Sequence, residues 1–271
     1  METQVTIFLA VTGFLFGSTI GSFLNVVIWR LPRGESLVLP GSHCPKCDTP
    51  IRWYDNIPLL SWIILGAKCR HCREPISARY PAIELVNGLF FAAYLVRFGV
   101  DGDALVPFGV LIGAVWYLFT AALIAVTMID IDHTIIPDAI SLPGIVLGLL
   151  VNMFLFAPTW KSGLIDGGLG VLLGGGIPLT IILVYYLLTK RIGMGFGDPK
   201  LLAMIGAFCG WQAVLFTLFI ASLSGTIVGV SYVAIAGKDR QFPIPFGPFL
   251  SLGAVLWLWI GPLVVGWYLG F

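Results

Sequence analysis

The chain is short of charge, of histidine and of cysteine. Only 11% of its 271 residues are charged while 58% are hydrophobic, and the mean hydropathy is +0.96. So little charge excludes an ordinary soluble domain and points to a polytopic membrane protein held in a lipid bilayer. The net charge is +1, which leaves no basic excess for a nucleic acid, and no nucleic-acid partner is expected. The three histidines, His43, His71 and His133, form no triad with a serine or cysteine nucleophile. Four of the five cysteines fall in one short segment; the fifth, Cys209, lies in an apolar run and reads as a packing residue. A strand followed by a glycine-rich turn is missing too, so a Rossmann-type cofactor site has no support. Met1-Glu2-Thr3-Gln4 carries no positive side chain, so the first apolar run is expected to be a retained span, not a cleavable signal peptide.

Long apolar runs are what the chain does have. Spans are expected at 7–28, 82–96, 105–129, 139–156, 164–188, 201–236 and 246–269. The run at 201–236 would make a single helix of ~54 Å, too long for a bilayer. It is interrupted at Gly210 and at Ser224-Gly225, and two short helices fit better. Lys190-Arg191 and Lys238/Arg240 then lie on one side, as the positive-inside rule asks, with Arg97 and Lys161 as isolated exceptions. The expected fold is an all-α polytopic bundle of about eight transmembrane helices with both termini outside. Gly13, Gly17 and Gly21 lie four apart and mark a face for close helix packing; Gly167, Gly168, Gly170 and Gly174-Gly175-Gly176 are read the same way. Asn25, deep in the first span, is expected to hydrogen-bond within the bundle.

Eight of the fifteen lysines and arginines fall between Arg30 and Arg79, which puts that segment in the cytoplasm. It holds Cys44-Pro45-Lys46-Cys47 and Cys69-Arg70-His71-Cys72. Paired CxxC knuckles suit a closed tetrahedral zinc site, structural because no coordination position stays open. Two disulfides are the alternative, disfavoured in a reducing compartment. His43 and His71 are competing ligands by position only. Pro40, Pro45, Pro50 and Pro58 indicate a loop-rich module whose folding energy comes from the metal. The expected division is 1–30 as first span, 31–80 as zinc module and 81–271 as a transmembrane catalytic bundle.

Two acidic runs end long apolar segments. One is Asp130-Ile131-Asp132-His133-Thr134-Ile135-Ile136-Pro137-Asp138; the other is Gly193-Met194-Gly195-Phe196-Gly197-Asp198. The topology places both at the cytoplasmic side, in loops. Carboxylates brought together share a proton, and such a couple activates water and protonates a leaving amine. Gly193, Gly195 and Gly197 free the backbone to approach an extended chain, and a side chain at Gly197 would obstruct that approach or be penalised by positive φ. Asp198 as an ordinary helix cap is the plainer reading.

Further motifs accompany these runs: Gly21-Ser22-Phe23-Leu24-Asn25-Val26, Trp53-Tyr54-Asp55-Asn56-Ile57-Pro58, Arg79-Tyr80-Pro81 leading to Glu84, and Pro245-Phe246-Gly247-Pro248. Together with the knuckles and Gly193–Asp198 they resemble the membrane aspartic peptidases of the glycine-x-glycine-Asp type. These include presenilin and the archaeal preflagellin peptidases. Across nearly the whole chain the resemblance is to the bacterial type IV prepilin leader peptidases, which also act as N-methyltransferases. It implies a prepilin or pseudopilin substrate with a short basic leader, cleaved after a glycine at the cytoplasmic face of the inner membrane. The new N-terminus, usually Phe, would be methylated from S-adenosylmethionine. Asp198 matches the signature Asp. Asp130, seven positions before Pro137, matches its partner, with Asp132 as the alternative; Asp138 reads as a cap on the following helix. Glu84 is a candidate for the cofactor by position, against an equally good reading as a paired helix-end carboxylate. A proton-coupled transporter and a non-catalytic assembly platform are the rival classes.

Overall fold

A computed structural model describes residues 2–101, 104–191, 195–236 and 244–269 of the chain. It divides into two compact units, Met1–Ala125 and Val126–Phe271.

The first unit opens with helix α1 (Glu2–Arg30). The polar segment follows, with only a short helix α2 (Leu60–Ile64) and two 3-10 turns in it. Its prolines and its lack of apolar periodicity account for that. Helix α3 (Arg79–Gly99) comes next. A two-residue antiparallel ribbon, β1 (Val100–Asp101) with β2 (Ala104–Leu105), leads to α4 (Pro107–His133). The glycine face of α1 packs on α3, backbone against backbone. A Cβ on Gly13 would lie 2.8 Å from Ala92 Cα, and one on Gly21 2.8 Å from Glu84 Cα. Small residues permit this approach where lipid offers no hydrophobic drive. Asn25 donates to the carbonyls of Gly21 and Tyr80, at 3.3 and 3.2 Å, as expected of it. The buried Tyr117 hydroxyl donates to Gly17 O at 3.2 Å and Asn87 Oδ1 at 3.3 Å, tying α4 to the same seam.

The second unit takes the last residues of α4, then α5 (Asp138–Val151), a π-helical turn (Asn152–Phe156) and α6 (Trp160–Thr189). Helices α7 (Gly197–Ala236) and α8 (Gly247–Leu269) complete it. Thr159 caps α6 through a reciprocal bond pattern with Ser162. The glycines of α6 press on α7: Gly170 meets the backbone of Gly206, and Gly174 the backbone of Leu202.

Helix α7 is broken where the sequence indicates. Gly210 has φ 81° and ψ 176°, a region open essentially to glycine alone. Val214 Cγ2 lies 2.8 Å from the Cβ position of Gly206, eight residues back, a separation of ~12 Å in a straight helix. The chain therefore folds back at Gly210 and forms two helices, 197–209 and 211–236. Ser224-Gly225, the other expected interruption, stays helical. Six of the described helices are long and apolar enough to cross a membrane when Gly197–Ile235 is taken as one, and α8 adds a shorter apolar stretch, Gly247–Gly261. With α7 divided, about eight apolar helices are found among the described residues. Large apolar side chains cover the outside, among them Leu172, Leu188 and Ile235, as befits a multi-pass membrane protein.

Candidate active site and zinc module

In the second unit, three helix ends meet around two carboxylates. Asp130 lies in the last turns of α4 and is 5% exposed; Asp198 is the second residue of α7 and is 7% exposed. Gly247, whose amide holds Asp130, and Gly197, next to Asp198, both abut Ile136, which brings the two carboxylates to one junction. Both stand at helix ends and not, as expected, in loops: the apolar pattern of each helix continues through the acidic residue. Asp132, two positions on, points elsewhere on α4 and is exposed. Asp130 is thus the one that shares an environment with Asp198.

Each carboxylate is held by a backbone amide. Asp198 sits one residue inside its helix and so is not the cap itself; it accepts from the Gly195 amide upstream. Asp130 Oδ2 accepts from the Gly247 amide at 2.9 Å, across 117 residues of sequence. Ile136 lies between the two glycines beside these carboxylates. Its Cβ is 2.8 Å from where a Cβ on Gly197 would be, and its Cδ1 is 3.4 Å from the same position on Gly247. Gly197 does not have a positive φ, so the penalty expected on that ground does not arise; crowding by Ile136 supplies one instead. Gly193 lies outside the described residues.

Asp138 is the first residue of α5, an acidic group in its first turn, with Pro137 in the cap position. It pairs with Lys200 Nζ at 2.6 Å, linking the start of α5 to the first turn of α7, two residues past Asp198. Lys200 escaped the sequence reading. Gly247 and Ile136 stood inside the Pro245–Pro248 and Asp130–Asp138 runs, which carried no indication of their partners.

In the first unit, the four cysteines Cys44, Cys47, Cys69 and Cys72 converge, with all four sulfurs within 4.8 Å of one another. None is in a disulfide. Zinc–sulfur bonds of about 2.3 Å at tetrahedral angles put sulfurs about 3.8 Å apart. Cys44 Sγ and Cys72 Sγ are 3.8 Å apart, so the donor set fits a zinc ion. The knuckles are built alike. In each, the residue after the second cysteine adopts positive φ, Asp48 at 53° and Arg73 at 62°, and its amide returns to the carbonyl of the first cysteine. Hydrogen bonding from the Thr49 hydroxyl and amide draws the Cys47 thiol down to about 6, toward the thiolate a metal needs. His43 and His71 are not part of the cluster; His43 Nδ1 bonds Gly41 O at 3.1 Å. Arg70 clasps Asp55 through Nε and Nη2 and holds its carboxyl below the usual range, joining the Trp53–Asp55 turn to the second knuckle.

Glu84 is buried and already engaged. Its Oε2 accepts from the Leu59 amide at 2.9 Å, and Ser22 bonds the same carboxylate. Leu59 has φ 64° and ψ −51°, and the Leu60 amide reaches Pro58 O at 2.7 Å. That is a γ-turn of the strained kind. Glu84 is thus a paired helix-end carboxylate, bonded on both sides within the first unit.

Two family models match the chain: the bacterial Peptidase A24 N-terminal domain over residues 15–98 and the type IV leader peptidase family over residues 117–230. The chain is 38% identical to a prepilin leader peptidase/N-methyltransferase of Stutzerimonas stutzeri, covering 95% of this chain and 92% of that protein. It is 37% identical to one of Aeromonas hydrophila (94% and 92% covered) and 39% identical to one of Myxococcus xanthus (84% and 64% covered). No solved structure gives a significant match. A buried carboxylate pair at meeting helix ends, a four-cysteine module and similarity along almost the whole length converge: the chain belongs to the type IV leader peptidase family.

Proposed function

We propose that this protein is an aspartic endopeptidase of the inner membrane that removes the leader peptide of prepilins or pseudopilins at the cytoplasmic face. The observation that carries the mechanism is the buried meeting of Asp130 and Asp198. In this reading one carboxylate takes a proton from water as the water attacks the scissile carbonyl. The other donates its proton to the carbonyl oxygen, and the leaving amine is protonated as the tetrahedral intermediate collapses. The basic leader stays in the cytoplasm while the apolar helix of the substrate enters from the bilayer. The described backbone near Gly195 and Gly197 lies beside that cut, where the extended substrate needs hydrogen-bond partners. The module at 31–80 holds zinc through Cys44, Cys47, Cys69 and Cys72. The metal has a folding role, and the cleavage step needs nothing from it. The relatives' second activity, N-methylation, is proposed here as well, with S-adenosylmethionine as methyl donor. No residue is assigned to that cofactor. A passive platform leaves the carboxylate pair without a task, and a proton-coupled transporter, which would use the pair, is not favoured by the similarity to leader peptidases.

The test is cleavage of a purified prepilin by the purified, zinc-loaded protein, followed by mass analysis of the new N-terminus with and without S-adenosylmethionine. Cut substrate with a methyl group added only when the donor is present is expected. Intact substrate with folded, metal-loaded protein would sink the reading.

A further inference from the structure

We propose that Gly247 is a positioning residue for Asp130, the first amide of α8 serving to orient that carboxylate; this rests on reading Asp130 and Asp198 as the catalytic pair. The first turn of a helix presents amides with no partner inside the helix. In α8 they can be accounted for one by one. Pro248 has no N–H. The amides of Phe249 and Leu250 both bond Phe246 O, at 3.1 and 3.2 Å. Gly247 is left, and its amide donates to Asp130 Oδ2 at 2.9 Å, buried. A proline at the second position and a carbonyl that takes the next two amides thus direct one donor at one oxygen.

The position also requires a glycine. A Cβ on Gly247 would lie 2.7 Å from Asp130 Oδ2 and 3.3 Å from its Cγ. The packed Ile136 Cδ1 stands 3.4 Å away on another side. A side chain here could be accommodated only by pushing the carboxylate aside. Orientation matters because proton transfer demands hydrogen-bond reach to the water it activates. With Oδ2 fixed by the amide, Oδ1 is the oxygen that handles water. Gly247 itself touches no reacting atom in this scheme.

Gly247→Ala keeps the amide but displaces the carboxylate. It should lower kcat for prepilin cleavage at least tenfold, with KM within about twofold of the parent and unchanged zinc content. Gly225→Ala, on the second half of α7, where a Cβ meets nothing nearer than 3.5 Å, is the control and should behave as the parent. A raised KM with kcat intact would overturn the proposal by making Gly247 part of the substrate site, and an unchanged kcat would overturn it outright. Asp130→Asn is assayed alongside. If that variant still cleaves, the carboxylate-pair reading fails instead.

A second measurement works even where Gly247→Ala does not accumulate. Hydrogen exchange is followed in a peptide containing Gly247. In Asp130→Ala the amide loses its acceptor and should exchange faster than in the parent. In Asp130→Asn, whose side-chain oxygen still accepts, protection should persist. Equal protection in all three proteins would overturn the proposal.

Discussion

The side chain of Ile136 stands where a side chain on Gly197 would have to go, its Cβ 2.8 Å from that position and its Cγ1 and Cδ1 at 3.3 and 3.4 Å. Ile136 follows Asp130 by six residues, and Gly197 directly precedes Asp198. Their contact sets how near the connection between α4 and α5 comes to the start of α7.

Gly197→Val should therefore abolish cleavage, and Gly197→Ala should impair it less. Ile136→Ala in the Gly197→Ala background removes two of the three contacts and should recover part of the rate. A glycine needed solely for the approach of substrate would gain nothing from the second change. A peptidase assay normalised to inserted protein separates these outcomes.

Asp198→Asn and Asp130→Asn should each lower cleavage by about 10³-fold or more, within reach of what positioned acid–base groups contribute. Asn keeps the shape of Asp, so both proteins should accumulate and insert normally. Asp132→Asn, altering an exposed carboxylate, should keep most activity. A dead Asp132→Asn beside an active Asp130→Asn would move the catalytic role to Asp132.

The purified protein should hold one equivalent of zinc, lost when Cys44 and Cys47 are both changed to Ser. The double change should reduce abundance more than it reduces the rate of the molecules that remain. Asp55→Asn, which weakens the clasp from Arg70, should leave the zinc in place but quicken its loss to a chelator. Metal analysis against time in chelator reads both effects.

Gly210→Ala should lower the yield of folded protein. The φ of 81° and ψ of 176° cost a non-glycine residue about 1–3 kcal/mol. A Cβ there would also meet Asp166, whose Cγ is 2.7 Å away. Asp166→Ala should relieve the second part of the damage and not the first. Melting curves of the single and double variants in detergent check the partition.

The helices were legible because each is written in a contiguous run: hydropathy marked the spans, and four-residue glycine spacing marked the packing face of α1, though not α3 as its partner. The break in α7 was legible from length, since a 36-residue apolar run does not fit a bilayer. The four cysteines were legible because metal chemistry restricts ligand type and spacing. What stayed hidden were relations that only the folded chain creates. Nothing local to Gly247 says that its amide faces a carboxylate 117 residues upstream. Lys200 reads as one more cation near a helix start until Asp138 is found beside it. The acidic runs read as loops because charge usually ends a membrane helix, whereas here the helices carry their carboxylates inside the last and first turns.

The γ-turn at Leu59 bears on how genetic data from this protein should be read. Glu84 belongs to α3, yet its Oε2 accepts the amide of a strained residue 25 positions earlier, in the segment that carries the cysteines. Removing that acceptor should relax the turn, and with it the segment that carries the four-cysteine knuckles. A screen for lost methylation would then score Glu84 as a hit whether it acts through this turn or at the methyl donor. Zinc occupancy tells the two explanations apart: a damaged scaffold loses metal together with methylation, whereas a damaged cofactor pocket keeps it.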